Sequence, residues 1–153
     1  MITVIYASET GNAESLAEDT GEHLQKLGGP VRVVDIEDFE MGEIKDSQLL
    51  FAIVSTWGEG DPPTTAEDFF EEFKDADPLG LESVSFAVLA LGDTNYEDFC
   101  QFGKDLDAEL ERHGAQRVLP RVDCDVDFED PFAEWLKDVA KVVQDRLGEP
   151  VAG

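Results

Sequence analysis

The chain has 153 residues, 42% of them hydrophobic and 9% aromatic, which is enough for one domain with a proper core. Its 36 Asp and Glu outweigh 11 Lys and Arg, a formal net charge of -25. That charge repels nucleic acid and anionic membrane surfaces and favours basic protein partners, although solubility in a salt-rich cytoplasm would also account for it.

Two cysteines, Cys100 and Cys124, are too few for a disulfide framework, and their spacing matches no metal motif. A reduced, cytoplasmic setting is expected. No signal-peptide pattern follows Met1, and no apolar run is long enough to span a bilayer.

Strand and helix patterns alternate along the chain. Residues 2–7 are a continuous apolar run, as a buried parallel strand should be. Residues 12–27 place Ala13, Leu16, Ala17, Leu24 and Leu27 on one helical face, and Gly28-Gly29-Pro30 ends that helix. Residues 31–36 read as a second strand, 37–47 as a poorly patterned acidic connector, and 49–55 as a third strand. Thr64-Thr65-Ala66-Glu67 reads as a capping box that opens a helix through Phe69, Phe70 and Phe73. Residues 84–91 form a fourth strand, and 99–113 a helix with Phe99, Phe102, Leu106 and Leu110 at helical spacing. Residues 117–119 make a short fifth strand. Asp130-Pro131 supplies an N-cap and a first-turn proline for a last helix, buried through Phe132, Trp135, Leu136, Val139, Val143 and Leu147. Five strands alternating with helices predict an α/β fold, with a parallel sheet covered on both faces. With no linker or repeat, residues 1–153 read as a single domain.

In such sheets, ligands bind beyond the carboxyl ends of the strands, where the strand order reverses. After the first strand comes Ser8-Glu9-Thr10-Gly11-Asn12-Ala13. Hydroxyls, a glycine and a helix N-terminus make a phosphate cradle from amides and dipole. The bland reading is simple capping by Thr10 or Asn12. No Lys or Arg appears before Lys26, so the loop lacks the lysine of a nucleotide triphosphatase. After the third strand come Ser55, Thr56, Trp57, Gly58, Glu59, Gly60, Asp61 and Pro62-Pro63. Trp57 lies off any core-facing period, so its flat face can stack on an aromatic ligand, the bland reading being a Trp folded back onto the core. After the fourth strand come Leu91, Gly92, Asp93, Thr94, Asn95, Tyr96, Phe99 and Cys100, again with an aromatic in a turn-rich loop. Residues 123–130, including Asp125, alternate acids like a calcium loop, but Phe128 and Pro131 fall where such a loop cannot hold them. They read as a solvated acidic rim. Two aromatic loops beside a phosphate cradle describe a sandwich for a flat heterocycle bearing one phosphate.

Together these loops resemble those of flavodoxins and flavodoxin-like FMN domains, over essentially the whole chain. The resemblance implies a three-layer sandwich, a five-stranded parallel sheet of order 2-1-3-4-5, and FMN at the switch point. It makes residues 8–13 the phosphate loop, Trp57 the inner flavin-stacking aromatic and Tyr96 the outer one. Cys100 is expected beneath the flavin. The segments around Leu91-Gly92-Asp93 and Tyr96–Cys100 resemble sulfite reductase flavoprotein and short-chain flavodoxins, and residues 129–136 resemble MioC-like proteins. Asn95 departs from a frequent serine. Trp57 departs from the sulfite reductase subunit, and nothing follows Gly153; both favour a free carrier over the FMN domain of a diflavin reductase.

The implied function is low-potential, one-electron carriage between an NAD(P)H-dependent flavodoxin reductase and an acceptor enzyme, both basic-surfaced, by a monomer. In the family, the carbonyl at the position of Gly58 turns toward the flavin, a movement glycine suits. A flavodoxin-fold NAD(P)H-dependent reductase would need cationic groups near the loops, which are scarce. A receiver domain would need an acidic cluster after the first strand, and Ser8 stands there. His23 and His113 fall near polar helix ends and are expected to be solvated, leaving no side chain for proton-transfer catalysis.

Overall fold

A computed structural model describes residues 2–8, 11–27, 30–56, 63–92 and 100–148. Its centre is a parallel sheet of β1 (Ile2–Ala7), β3 (Leu49–Ser55) and β4 (Ser85–Leu91). All of β4, and β3 except Ser55, is buried, which is why these segments are apolar almost without interruption. The polar exception in β1, Thr3, is buried with its hydroxyl 2.7 Å from that of Ser47. β2 (Val31–Asp35) pairs with the outer side of β1, and with β5 (Gln116–Arg117) beside β4 the strand order is β2-β1-β3-β4-β5. No helix among the described residues is long and apolar enough to cross a membrane.

Two apolar layers flank the sheet. On one face α1 (Asn12–Gln25) and α4 (Glu129–Gly148) cover Val4, Phe51, Ile53 and Leu89. On the other α2 (Glu67–Asp75) and α3 (Gln101–Arg112) cover Leu50, Ala52, Phe86 and Val88. The periodic residues do the burying, among them Leu16, Ala17, Phe73, Leu106 and Val139. The helices also approach the sheet through residues that hydrophobic periodicity passes over. A Cβ on Gly103 of α3 would fall well inside contact with Ala90 Cβ and 3.3 Å from its Cα. The obstacle includes β4 backbone, so the helix itself must move. Gly103→Ala should therefore destabilise the fold by about 1–3 kcal/mol in urea unfolding, despite alanine's better helix propensity.

Several sequence-based expectations change. The fifth strand is not residues 117–119 but two pieces beside β4: β5 (Gln116–Arg117) and β6 (Val122–Cys124). Pro120, which has no N–H to give a ladder, stands between them. Two arginines hold this broken edge to α3. Arg117 grips the buried Asp107 at 3.1 and 2.6 Å, and Arg121 reaches the same carboxylate at 3.7 Å. The connector after β2 is less featureless than its sequence, because the 3-10 turns Ile36–Asp38 and Met41–Asp46 bury Ile36, Phe39 and Ile44.

α2 is entered through a 3-10 turn, Thr64–Ala66, and its own N-cap is Ala66 rather than a capping-box residue. α4 starts at Glu129, before the expected Asp130 cap, with Phe132 N–H bonded to Phe128 C=O at 2.9 Å. Pro131 still sits in the first turn, where its missing N–H costs no helix bond. His113 is fully buried, not solvated. Its ring stacks on Phe73 at 4.1 Å; Nδ1 accepts from Leu79 N–H at 3.0 Å and Nε2 lies 2.8 Å from Phe73 C=O. Since Nδ1 accepts, Nε2 carries the proton and donates to that carbonyl. His23 is exposed. The expected burial of Leu147 and the terminating Gly28-Gly29 lie outside the described residues and side chains.

Candidate functional site

Because the strands are parallel, their carboxyl ends emerge along one edge. Registers Ala7↔Val54, Ser55↔Leu91 and Leu91↔Cys124 set the ends of β1, β3, β4 and β6 side by side there. From β1 the chain crosses to β2 and from β3 to β4, so the direction reverses between β1 and β3. Ser8, Gly11, Asn12, Ser55, Thr56, Gly92 and Asp125 all belong to this edge. The remaining site candidates, Glu9, Thr10, Trp57, Gly58, Glu59, Gly60, Asp93, Thr94, Asn95, Tyr96 and Phe99, lie outside the described residues.

The turn between β1 and α1 is built around Gly11. It is the N-cap of α1, with φ 91° and ψ -7°, a left-handed conformation that glycine adopts without a Cβ clash. No side chain caps the helix at this position, and Asn12 is already helical. Gly11 N–H donates to Ser8 Oγ at 2.8 Å, tying the end of β1 to the start of α1. The first helical bond runs from Ser15 N–H to Gly11 C=O at 3.0 Å. The N–H groups of Asn12, Ala13 and Glu14 therefore have no acceptor within the helix. A Cβ built on Gly11 meets nothing within 4 Å. Amides with no partner among the described residues, the positive end of a helix dipole, a serine hydroxyl and open space are what a phosphate monoester requires. The donor set fits FMN's phosphate. Ala13 itself is buried, so its side chain faces the core and its amide is what it can offer.

Beneath this turn, Tyr6 donates its hydroxyl to Glu14 at 3.3 Å. Burial, with Glu14 and Asp35 nearby, pushes the Tyr6 phenol up to about 12, so it stays a neutral donor. In the sequence, a tyrosine within an apolar strand is the only sign of this role.

Thr56 links the second loop to the third. Its N–H donates to Leu91 C=O at 3.1 Å, and its Oγ1 accepts from Phe102 N–H at 3.0 Å. A side chain at the end of β3 thus caps the first turn of α3. Cys100, the N-cap residue of α3, has φ 56°, uncommon for a residue with a Cβ. Its buried thiol lies 3.5 Å from Ala90 C=O and 3.6 Å from Cys124 C=O, which also accepts from Gly92 N–H at 2.9 Å. Burial and the nearby Asp123 push Cys100 up to about 12 and Cys124 to about 11, so both thiols stay protonated. Leu91 and Cys100 are thus packing residues beneath the edge. Thr56→Val should lose about 1 kcal/mol of stability in thermal or urea unfolding, while Thr56→Ser should keep most of it, because only the hydroxyl acceptor is required.

The family model for flavodoxin matches residues 4–135. The sulfite reductase [NADPH] flavoprotein alpha-component of Bacillus subtilis is 45% identical over 151 residues, covering 99% of this chain and 25% of that protein. Its counterpart from Salmonella paratyphi A is 40% identical over the same length. The chain therefore spans about a quarter of the length of these curated relatives. Among solved structures, a flavodoxin of Streptococcus pneumoniae superposes with a TM-score of 0.83 at 27% identity, covering 95% of this chain and 98% of that one. Flavodoxin 2 of Bacillus cereus superposes with a TM-score of 0.80, also at 27% identity, with the same coverages. With the model matched across most of its length, and the sheet order in agreement, this chain belongs to the flavodoxin family.

Proposed function

We propose that the protein is a low-potential, one-electron carrier whose FMN seats its phosphate on the turn at residues 8–13 and its ring between the loops bearing Trp57 and Tyr96. Electron carriage on FMN follows from flavodoxin membership. FMN supplies the redox chemistry; the chain binds it, orients it and sets its surroundings. The carrying observation is the Gly11 turn at the strand-order reversal, where the first amides of α1 have no acceptor within the helix. Asn12 and Ala13 offer amides to the phosphate, and the Ser8 hydroxyl keeps its own proton to donate while accepting from Gly11. Glu14 and Asp125 add negative charge along the same edge. In a partly desolvated site, that charge opposes further negative charge on the bound ring and lowers its potential. The donor and acceptor are read as basic-surfaced proteins in the cytoplasm, the donor an NAD(P)H-dependent reductase.

A second reading is favoured by one observation. The 45% identity with a sulfite reductase flavoprotein over 99% of this chain points to the FMN module of a diflavin reductase. The two readings share the site and differ in whether the reductase is tethered. Immunoblotting the source cells separates them: a free carrier runs at the mass of this chain, and a module runs within a chain about four times as long.

Both readings are tested against a flavodoxin-fold reductase by mixing the FMN-loaded protein with NAD(P)H alone. The visible spectrum should stay oxidised until a catalytic amount of a flavodoxin reductase is added. Direct bleaching by NAD(P)H would contradict electron carriage as the primary role.

A further inference from the structure

A cleft of about 440 Å³ lies between residues 36–42 and the start of α2. None of the described residues of the cofactor site lines it. Its floor is apolar, with Phe39 and Phe69 rings 6.2 Å apart and Met41 beside them. Its rim carries four exposed carboxylates, Glu37, Glu40, Asp68 and Glu72, and no Lys or Arg lines it. Among the described residues, none of the four has an ion-pair partner. The hydroxyl oxygen of Thr65, also in the lining, is buried without a hydrogen-bond partner. Carboxylates around a low-dielectric floor repel one another and focus a negative potential into the cleft.

The cleft is complementary to a group with an apolar stem and a cationic head, which is an arginine or lysine side chain. The same ring already shows the chemistry in miniature. The Arg32 guanidinium stands 5.5 Å from the Phe39 centroid and pairs with Glu43. Glu43 is thereby occupied, and Glu40 N–H holds its other oxygen at 3.2 Å; of the rim carboxylates, Glu40 accepts only the Glu43 backbone N–H in a capping box, and none of the four meets a cation among the described residues. Both walls start at the sheet's carboxyl edge, one directly after β2 and the other ahead of α2. A protein docked there stands next to the cofactor edge.

We propose that this cleft is a docking point for a basic redox protein, one of whose arginine or lysine side chains lays its stem on Phe39, Met41 and Phe69 and its charge among the rim carboxylates. This rests on the electron-carrier reading and names the surface it would use. Gly42 gives a direct test. It lines the cleft, and a Cβ there meets nothing within 4 Å. Gly42→Arg places a guanidinium in the cleft from within. Gln144→Arg makes the same charge change on an exposed position of α4, across the sheet.

The probe is ferric cytochrome c, a basic haem protein. In stopped flow at low ionic strength, photoreduced Gly42→Arg holoprotein should reduce it at least about fivefold more slowly than wild type. Gln144→Arg should slow it by less than about twofold. In the binding arm, adding cytochrome c to the isotopically labelled wild-type apoprotein should shift amides of 36–42 and 65–72. Equal slowing by the two variants, or amide shifts elsewhere and none in these segments, would overturn the docking point. A wild-type protein that takes up no FMN would overturn the carrier reading instead, while the binding arm still decides for or against the cleft.

Discussion

Gly11→Val should weaken FMN binding by about 30–100-fold and leave the fold standing. The expected loss combines two terms. A left-handed backbone costs a residue with a Cβ about 1–2 kcal/mol, and a β-branched residue lies at the upper end. The new side chain also enters space beside the turn, where a Cβ meets nothing within 4 Å beyond its chain neighbours among the described residues. A bulky group there narrows the room left for a phosphate at the start of α1. Together these amount to about 2–2.7 kcal/mol of lost affinity, the stated range. Quenching of flavin fluorescence reads the affinity and far-ultraviolet dichroism the fold. Unchanged affinity would mean that the phosphate is held elsewhere.

Trp135→Ala should lower unfolding stability by about 3–5 kcal/mol. Trp135 is 2% exposed, meets Phe51 edge-on at 6.1 Å and lies 6.5 Å from Phe132. It thus packs α4 onto β3 in the layer shared with α1. Trp135→Phe should cost far less, at most about 1.5 kcal/mol. The indole Nε1 is buried with no hydrogen-bond partner, so phenylalanine removes an unsatisfied donor while keeping most of the apolar area. Urea unfolding of both variants separates packing from polarity. A phenylalanine variant as unstable as the alanine one would show that the indole makes a bond essential to the fold.

The contrast between the two predictions follows what the sequence could reveal. Trp135 was legible because burial leaves a period: Phe132, Trp135, Val139 and Val143 repeat at helical spacing. β1, β3 and β4 were legible because a strand covered on both faces has to be apolar throughout. Gly11 stands out as a glycine between a strand and a helix, and the structure places it as a left-handed N-cap. What stayed hidden depends on contacts distant in sequence. Thr56 looked like one more polar loop residue, yet it caps a helix at Phe102. His113 looked solvated at a helix end, but the fold stacks it on Phe73 and satisfies both ring nitrogens. Asp107 lies off the apolar stripe of α3 and is buried because Arg117 and Arg121 come to it from the broken edge. Phe39 and Ile44 gave no period because 3-10 turns bury single residues rather than stripes.

The Gly11 turn also gives meaning to the missing cation. A single monoester phosphate needs amides, a hydroxyl and a dipole, whereas a triphosphate needs a lysine. Residues 8–25 contain no Lys or Arg. That segment thus brings no cation to the phosphate beyond the helix terminus.

The most direct test of this account is to titrate the apoprotein with FMN and, separately, with riboflavin, which has the same ring and no phosphate. FMN should bind one to one, and riboflavin at least about 100-fold more weakly, since the phosphate contributes several charge-assisted amide bonds. Equal affinity for the two, or no binding of either, would contradict the claim that the turn at Ser8 and Gly11 is the phosphate end of a flavin site.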